Sequence, residues 1–177
     1  PNARSKARDE RPLRIGVVGL QGAIEEHLEA VKRAFYASSI TGEVFRLSHP
    51  DQLKDVDGII IPGGESTTIG KLMVSTGLFE PIKRMGSSGL PILGTCAGMI
   101  LLAKKGDEWV ERTRQPLLGL MDFSVRRNAF GRQRESFETE LHIPALGKEP
   151  FRGVFIRAPV AEEVWGQAEV LATFQGK

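Results

Sequence analysis

The stretch LPILGTCAGMILLAKK, residues 90–105, decides the fold. An apolar run over 91–93 suits a buried strand, the turn Gly94-Thr95-Cys96-Ala97-Gly98 follows it, and a helix-like pattern continues over 99–105. A Gly-x-Cys-x-Gly turn between a strand and a helix is the nucleophile-elbow pattern, with cysteine in place of serine. The central residue of such a turn takes a strained backbone conformation, and small neighbours avoid collisions at the sharp reversal. We therefore predict a cysteine elbow at the carboxyl end of a strand.

Apolar runs and helical patterns alternate along the rest of the first half of the chain, which is typical of a parallel sheet in an α/β protein. The predicted strands are 13–18, 43–47 and 58–61, and the predicted helices are 24–35, 69–73 and 79–85. Beyond residue 105 short strands are separated by Gly, Pro and charged turns, which predicts a mixed sheet with hairpins. These strands are 123–125, 137–143, 154–156 and 170–174.

Length and charge limit the class of protein. The chain has 177 residues, with 24 Lys and Arg against 22 Asp and Glu, for a net charge of +2. This small excess lies within residues 1–11, so the body is neutral and gives no sign of nucleic-acid binding. We expect a flexible tail over 1–12 and one domain over 13–177.

The chain also gives signs of its compartment. Its longest weakly polar run, residues 90–103, is shorter than a bilayer span, so no transmembrane helix and no membrane partner are expected. Its single cysteine, Cys96, cannot form an internal disulfide, which indicates a reducing compartment. A cytoplasmic location is the expectation.

The chemistry of the turn centres on Cys96. A helix N-terminus favours a thiolate over a thiol, so we expect this cysteine to be activated, although a buried structural cysteine is the plainer alternative. A cysteine that attacks a carbonyl also needs oxyanion donors. The N–H of Ala97 is the first candidate, and the turn at Gly63 and Gly64 is a natural source of the second.

Two other glycine turns follow predicted strands, and in a parallel sheet ligands bind beyond the strand carboxyl ends. Residues 62–67, Pro-Gly-Gly-Glu-Ser-Thr, could open a helix as a phosphate-binding turn, but they lack the Walker lysine and the Gly-x-Gly-x-x-Gly spacing. Ser66 or Thr67 could instead be a helix N-cap. The turn over 19–22 could be no more than a turn.

Six motifs occur in a fixed order between residues 13 and 177. They are Gly19-Leu20-Gln21-Gly22, Pro62-Gly63-Gly64-Glu65-Ser66-Thr67-Thr68, Gly94-Thr95-Cys96-Ala97-Gly98, Arg127-Asn128-Ala129-Phe130-Gly131-Arg132-Gln133, Ser136-Phe137-Glu138 and Phe155-Ile156-Arg157-Ala158-Pro159. Together they resemble the class I glutamine amidotransferases, and more closely the glutaminase subunit of pyridoxal 5'-phosphate synthase. The resemblance implies a flavodoxin-like three-layer α/β fold with a mostly parallel central sheet and a mixed or antiparallel C-terminal portion.

The resemblance also implies an activity. L-glutamine would be hydrolysed to glutamate and ammonia, with Cys96 as nucleophile, and ammonia would pass to a synthase subunit in a hetero-oligomer. Ala97 with Gly63 or Gly64 would form the oxyanion hole, and Gln21 would lie near the partner-facing side. The implied glutamine-binding residues are Gly64, Glu65, Ser66, Arg127, Ile156 and Arg157. Arg127 suits the carboxylate of an amino acid and Glu65 its ammonium.

One element of the family pattern is missing. The family completes its triad with His-x-Glu near the C-terminus, and this sequence has no such motif. Its histidines, His27, His49 and His142, do not match the motif, and we assign them to structure or solvent. Either the sequence omits a C-terminal segment, or the chain is a short relative that binds without hydrolysis. The predicted strand over 170–174 lacks a hairpin partner, which favours omission.

Three hypotheses follow from the sequence. The first is the glutaminase subunit, and the second is a non-catalytic glutamine-binding or docking subunit. The third is a different cysteine-elbow protein, redox-sensing or deglycase-like, in which Cys96 is oxidised or attacks aldehydes. No metal site is expected, because one cysteine and scattered histidines give no ligand spacing. No cofactor is expected either, since pyridoxal phosphate would be the partner's product.

Overall fold

The computed structural model describes residues 11–127 and 136–176. Residues 1–10 of the expected tail, and most of the motif that begins at Arg127, lie outside the described residues. Arg11 is bonded to the body of the protein, because its guanidinium donates to both carboxylate oxygens of Asp57 at 2.7 and 2.9 Å.

Helices and strands alternate through the first half of the chain, as the sequence predicts. This half contains β1 (Leu13–Val18), α1 (Ile24–Ala37), β2 (Gly42–Leu47), β3 (Gly58–Ile61), α2 (Ser66–Ser75), α3 (Phe79–Ser87), β4 (Ile92–Gly94) and α4 (Ala97–Leu102). The second half contains β5 (Ala103–Lys105), α5 (Glu108–Thr113), β6 (Met121–Arg126), β7 (Phe137–Leu141), β8 (Phe151–Phe155) and β9 (Val160–Val164). Short 3₁₀ turns cover Pro50–Leu53 and Pro144–Leu146.

The main sheet has the strand order β2-β1-β3-β4, and all of its described pairs are parallel. This order begins as the flavodoxin-like order does, and it places the carboxyl ends of β1, β3 and β4 along one edge. The crevice between β1 and β3 is where such sheets bind ligands. The turns that follow these strands carry Gln21, Gly64 and Cys96.

Helices cover both faces of this sheet. Alternate strand residues point to opposite sides, and apolar side chains on both sides pack against helices. On one face Val17 and Ile60 pack with Ile24, Leu28 and Val31 of α1. On the other face, residues of α2, α3 and α4 form the larger core with the neighbouring strand residues. Its fully buried members include Val18, Leu47, Ile61, Ile69, Met73, Ile82 and Leu101. The result is an α/β fold with three layers.

Two smaller sheets account for the second half. In one, β5 pairs with β6 in parallel and β6 pairs with β9 in antiparallel. In the other, β7 and β8 form an antiparallel pair with Phe137 opposite Phe155. The prediction of mixed strand directions with antiparallel pairs in the second half is confirmed.

The helix predicted to continue to residue 105 is wrong at its end. Helix α4 stops at Leu102, and Ala103 turns to extended backbone that pairs with Met121. The N–H groups of Leu118 and Leu120 donate to the carbonyls of Leu101 and Leu102, which satisfies the end of the helix from a neighbouring segment. A short apolar run fits helical and strand periods equally well, so its sequence could not reveal this switch.

The strand predicted over 170–174 is also wrong. These residues have irregular backbone, and Val170 and Leu171 are exposed. Phe174 packs instead against the rings of Phe137 and Phe155, with centroids 5.0 and 5.6 Å away. Residues 170–174 therefore form no unpaired strand, and they give no reason to favour an omitted C-terminal segment. The antiparallel partner of β6 is β9, which the sequence analysis did not predict.

Helix α4 lies unusually close to β3, because residue 98 has no side chain. A Cβ placed on Gly98 would come well inside 3.0 Å of the backbone carbonyl oxygen of Ile61, which cannot move without disturbing the sheet. A Cβ on Gly94 would come 2.5 Å from the carbonyl carbon of Gly98. Both glycines of the elbow motif are therefore required by close packing, as the sequence predicts.

Substitution of Gly98 should show this constraint. We expect Gly98→Ala to lower the free energy of unfolding by about 1 to 3 kcal/mol, since the backbone must shift to admit a methyl group. Gly58→Ala is the matched control, because its added Cβ comes near only the movable end of Ile15 at 3.1 Å and lies at an ordinary contact distance of 3.6 Å from Pro91 O. Urea denaturation measures both variants. Equal stability of the two would contradict the close-approach argument.

Candidate active site

The backbone of Cys96 is strained, as predicted for the centre of an elbow. Its φ of 49° and ψ of −102° lie outside the regions that L-residues prefer. Hydrogen bonds fix the turn on both sides, because the N–H of Thr95 donates to Ile61 O at 3.1 Å and the N–H of Gly98 donates to Thr95 O at 2.8 Å. The side chain of Cys96 is exposed, so the plainer alternative of a buried structural cysteine is wrong.

Cys96 opens into a cleft of about 730 Å³ at the carboxyl edge of the main sheet. The cleft brings together most of the site residues predicted from the sequence: Gln21, Gly64, Glu65, Ser66, Cys96, Arg127, Ile156 and Arg157. Its remaining lining, which the sequence analysis did not single out for the site, is Met99, Ile100, Val154, Phe155, Ala158 and Pro159. Turns from distant parts of the chain thus converge on one cysteine.

Gly63 and Ala97 do not line the cleft, but both lie directly behind it. A Cβ on Gly63 would come 3.4 Å from the Cβ of Cys96, so the two turns are in contact. Ala97 is buried and begins α4. The first N–H groups of a helix have no intrahelical acceptor, and the Ala97 N–H donates to no acceptor among the described residues.

Gln21 connects the turn after β1 to the turn after β3. Its Oε1 accepts a hydrogen bond from the backbone N–H of Glu65 at 2.9 Å. Alongside it, the N–H of Ala23 donates to Gly63 O at 3.0 Å. Gly22, at φ 104°, is needed here, because a side chain would collide with that same carbonyl. The side chain of Gln21 therefore helps to shape the cleft.

Glu65 is the N-cap of α2, where the sequence analysis expected Ser66 or Thr67. Its carboxylate accepts from the N–H groups of Thr67 at 3.1 Å and Thr68 at 2.7 Å, and from the Thr68 hydroxyl at 2.7 Å. A glutamate chain is long enough to fold back over the first turn, which leaves both hydroxyl residues inside the helix. Desolvation by partial burial acts to raise the pKa of Glu65, but the bonds from Thr68 and Thr67 together outweigh it. The pKa lies below its ordinary value of 4.5.

Arg127 lies beside Glu65 and is held on several sides. Its Nη2 is 3.3 Å from Glu65 Oε1, and its Nη1 donates to Gln115 Oε1 at 3.3 Å and Thr67 Oγ1 at 3.4 Å. The ring of Trp109 lies 5.8 Å from the guanidinium carbon. Arginine side chains usually lie at the surface in contact with solvent, but the side chain of Arg127 is only 16% exposed.

The opposite wall of the cleft comes from the connection between β8 and β9. Arg157 has a left-handed backbone with φ of 44°, and Ile156 beside it is 49% exposed. A strained arginine beside an exposed isoleucine at a cleft wall is consistent with a binding role, since strained conformations collect at functional sites.

The three histidines have separate positions. His27 in α1 is half-buried, with Nδ1 2.6 Å from Ala23 O and Nε2 2.9 Å from Thr95 Oγ1. His49 precedes the 3₁₀ turn at Pro50–Leu53 as its N-cap, and His142 is exposed just after β7. In the described ranges, no histidine hydrogen-bonds to Cys96. This agrees with their assignment to structure or solvent.

Gln115 is the polar residue that the sequence analysis missed. It is 6% exposed, and its Oε1 accepts from Ser66 Oγ and Thr67 Oγ1, both at 3.0 Å. A glutamine in a connecting segment after a short helix carries no motif, so no signal in the sequence could have selected it.

The described part of the chain contains neither a metal-binding cluster nor a membrane-spanning helix. Across residues 11–127 and 136–176, His, Cys, Asp and Glu side chains nowhere gather in threes that could bind a metal ion. No helix in these same ranges has both the length and the apolar character needed to cross a bilayer.

The fold and the site together define an α/β protein with a cysteine elbow at the carboxyl edge of a parallel sheet. A solved structure described as a crystal structure of glutamine amidotransferase superposes on it with a TM-score of 0.79 at 42% identity, covering 92% of this chain and 80% of that chain. The model of the SNO glutamine amidotransferase family matches residues 17–177. The chain therefore belongs to the SNO glutamine amidotransferase family.

Curated relatives are similar over most of the chain. Pyridoxal 5'-phosphate synthase subunit PdxT of Thermococcus onnurineus is 53% identical over 173 residues, which cover 93% of this chain and 86% of the relative. The subunit of the same name from Pelotomaculum thermopropionicum is 54% identical over 165 residues, which cover 93% of this chain and 79% of the relative. The resemblance drawn from the six motifs is confirmed.

Titration of Glu65 should be visible in stability. Because its pKa is lowered on folding, its ionised form stabilises the protein above pH 4.5, and this contribution is lost as the pH falls through the folded-state pKa. We expect Glu65→Gln to lower the free energy of unfolding at pH 7 by about 1 kcal/mol, the usual cost of a weakened cap.

Denaturation of both proteins from pH 7 to pH 3 measures this, and the gap between them should close at the acid end. Glu149→Gln, at an exposed carboxyl before β8, is the control and should show no such gap. A gap that stays constant with pH would contradict the role given to the Glu65 charge.

Proposed function

We propose that this chain is a glutaminase subunit that hydrolyses L-glutamine to L-glutamate and ammonia through Cys96, and that it supplies the ammonia to a pyridoxal 5'-phosphate synthase. Membership of the SNO family and the names of its relatives support the reaction class and the assembly. The observation that carries the chemistry is the exposed, strained Cys96 in the same cleft as an arginine–carboxylate pair.

The reaction begins when Cys96 Sγ attacks the side-chain amide carbon of glutamine. The carbonyl electrons move to its oxygen, and the N–H of Ala97 with a backbone N–H of Gly63 or Gly64 would stabilise that oxyanion. As the carbon–nitrogen bond breaks, the nitrogen takes up the proton that the Cys96 thiol gave up and leaves as ammonia, which creates a γ-glutamyl thioester. Water then adds to the thioester carbonyl, Cys96 leaves as the thiol, and glutamate is released.

The polar end of the cleft suits a zwitterion. Each carboxylate oxygen of Glu65 accepts two hydrogen bonds, which uses both of its lone pairs. One of these four bonds comes from Arg127. An amino acid that inserts between Glu65 and Arg127 would replace their ion pair with two new ones. Its carboxylate would bind Arg127, its ammonium would bind Glu65, and the net charge of the site would not change.

The other predicted residues complete the binding site in this proposal. Gly64 and Ser66 contribute from the turn after β3, while Ile156 and Arg157 close the cleft from the opposite wall. Gln21, which lies at the cleft and bonds to the Glu65 N–H, would face the synthase partner.

The assembly and compartment follow from the same proposal. Ammonia would be channelled to the synthase subunit within a hetero-oligomer, because free ammonia is otherwise lost to solvent and protonation. Residues 13–177 would act as one glutaminase domain with residues 1–12 as a tail. A cytoplasmic location would keep Cys96 reduced.

A second function, binding of glutamine without hydrolysis, is favoured by one observation. No histidine in the described residues is bonded to Cys96 and placed to act as its base. Without a general acid and base, proton transfer in both half-reactions would slow, each typically by about 10² to 10⁴. Such a chain would hold glutamine and dock on the synthase.

One experiment separates the two functions. The chain is mixed with the synthase subunit, and release of glutamate from L-glutamine is followed for the wild type, Cys96→Ala and the exposed control Ser87→Ala. We expect release by the wild type and the control, and a loss of at least about 10³-fold in Cys96→Ala, because the nucleophile is gone.

Glutamine binding without release by any of these proteins would establish the binding function instead. Activity that survives in Cys96→Ala would overturn the proposed role of the cysteine.

A further inference from the structure

Two polar side chains are buried in the part of the chain that the structure describes, and they are bonded to each other. Ser66 is 1% exposed and Gln115 is 6% exposed, and Ser66 Oγ donates to Gln115 Oε1 at 3.0 Å. Buried polar groups cost stability unless they are satisfied, so a pair of them beside a cleft calls for an explanation.

Gln115 Oε1 is the shared acceptor of three donors. Besides Ser66, it accepts from Thr67 Oγ1 at 3.0 Å and from Arg127 Nη1 at 3.3 Å. The orientation of the amide is fixed, because a guanidinium can only donate and must therefore face the oxygen. The amide nitrogen points elsewhere and has no acceptor among residues 11–127 and 136–176.

Residues at both ends of helix α5 hold Arg127. Asp107, the N-cap of α5, accepts the backbone N–H of Arg127 at 2.8 Å through Oδ2. Gln115, which follows the helix and donates its own N–H to Val110 O at 3.0 Å, accepts from the Arg127 side chain. Both the main chain and the guanidinium of Arg127 are tied to one short, capped helix.

We propose that Gln115 is a positioning residue for glutamine binding, which acts by holding the Arg127 guanidinium at the mouth of the cleft next to Ser66 and Glu65. This inference rests on the proposed function, because it takes Arg127 to bind the substrate carboxylate. A long arginine side chain loses conformational freedom when it binds, and an acceptor that fixes it beforehand lowers that cost. Gln115 itself is buried and touches no substrate.

In the Gln115 amide the oxygen is hydrogen-bonded and the nitrogen is not, and this difference allows a direct test. Gln115→Glu keeps an oxygen that can accept from Ser66, Thr67 and Arg127, and it replaces the amide nitrogen, which bonds to nothing described, with a second oxygen that adds a negative charge when the carboxyl ionises. Gln115→Met has a similar volume and removes the acceptor. Gln167→Met, at an exposed position after β9, is the matched control for the same chemical change.

Affinity for L-glutamine is measured by isothermal titration calorimetry on the full chain. We expect Gln115→Met to raise the dissociation constant at least tenfold, Gln115→Glu, which keeps the acceptor, to raise it less than Gln115→Met does, and Gln167→Met to leave it unchanged. Should Gln115→Met fail to fold, Gln115→Asn is the second variant. Its shorter side chain moves the amide oxygen away from Ser66, Thr67 and Arg127 without burying a new apolar group. It should raise the constant at least fivefold.

A double-mutant cycle distinguishes positioning from general loss of structure. In an Arg127→Met background, Gln115→Met should change glutamine affinity less than twofold, because the group that Gln115 holds is absent. Unaltered affinity in Gln115→Met, or an equal loss in both backgrounds, would overturn the inference while the proposed function stands. Absence of glutamine binding by the wild type would instead overturn the proposed function, and this inference with it.

Discussion

The strained backbone of Cys96 is the constraint on which the rest of the site depends. A non-glycine residue with φ of 49° and ψ of −102° costs about 1 to 3 kcal/mol, and it persists only when its surroundings leave no alternative. Here the fully buried Ile61, Ala97 and Leu101 fix the strand and the helix on either side. Gly94 and Gly98 let the helix approach β3 until the turn has no room to relax. The apolar core thus determines where one thiol is exposed.

The polar side of the cleft is arranged by a different force. Glu65 caps a helix, pairs with Arg127 and receives the Thr68 hydroxyl, so its charge is stabilised by the same bonds that orient it. Arg127 in turn is held by a buried amide and a helix cap. Under the proposed function, the ion pair between Glu65 and Arg127 already orients both groups, which reduces the reorganisation needed when a zwitterion binds between them. Packing positions Cys96, and hydrogen bonds position the charges of Glu65 and Arg127.

Strong periodicity made the first half of the fold predictable from the sequence. The β-branched run of β1, the apolar stripe of α1 and the continuous apolar run of β3 all lie where expected, because each has one period and clear turn residues at its ends. The end of α4 and residues 170–174 could not be predicted, since their conformation is decided by partners far away in the chain. In the site, glycine motifs located the cleft, whereas Gln115 depends on tertiary contacts that leave no local pattern. The Glu65 cap is local, but glutamate is not among the residues that usually cap a helix N-terminus.

The most direct test of the account is covalent labelling of Cys96 by 6-diazo-5-oxo-L-norleucine, an electrophilic analogue of glutamine. Intact mass and peptide mapping follow the adduct over time at several reagent concentrations. The account predicts one adduct on Cys96, a rate that saturates with reagent, and protection by L-glutamine but not by D-glutamine. An unmodified cysteine, or a slow rate that rises linearly with reagent and ignores L-glutamine, would contradict the claim that the elbow presents Cys96 to a glutamine-binding cleft.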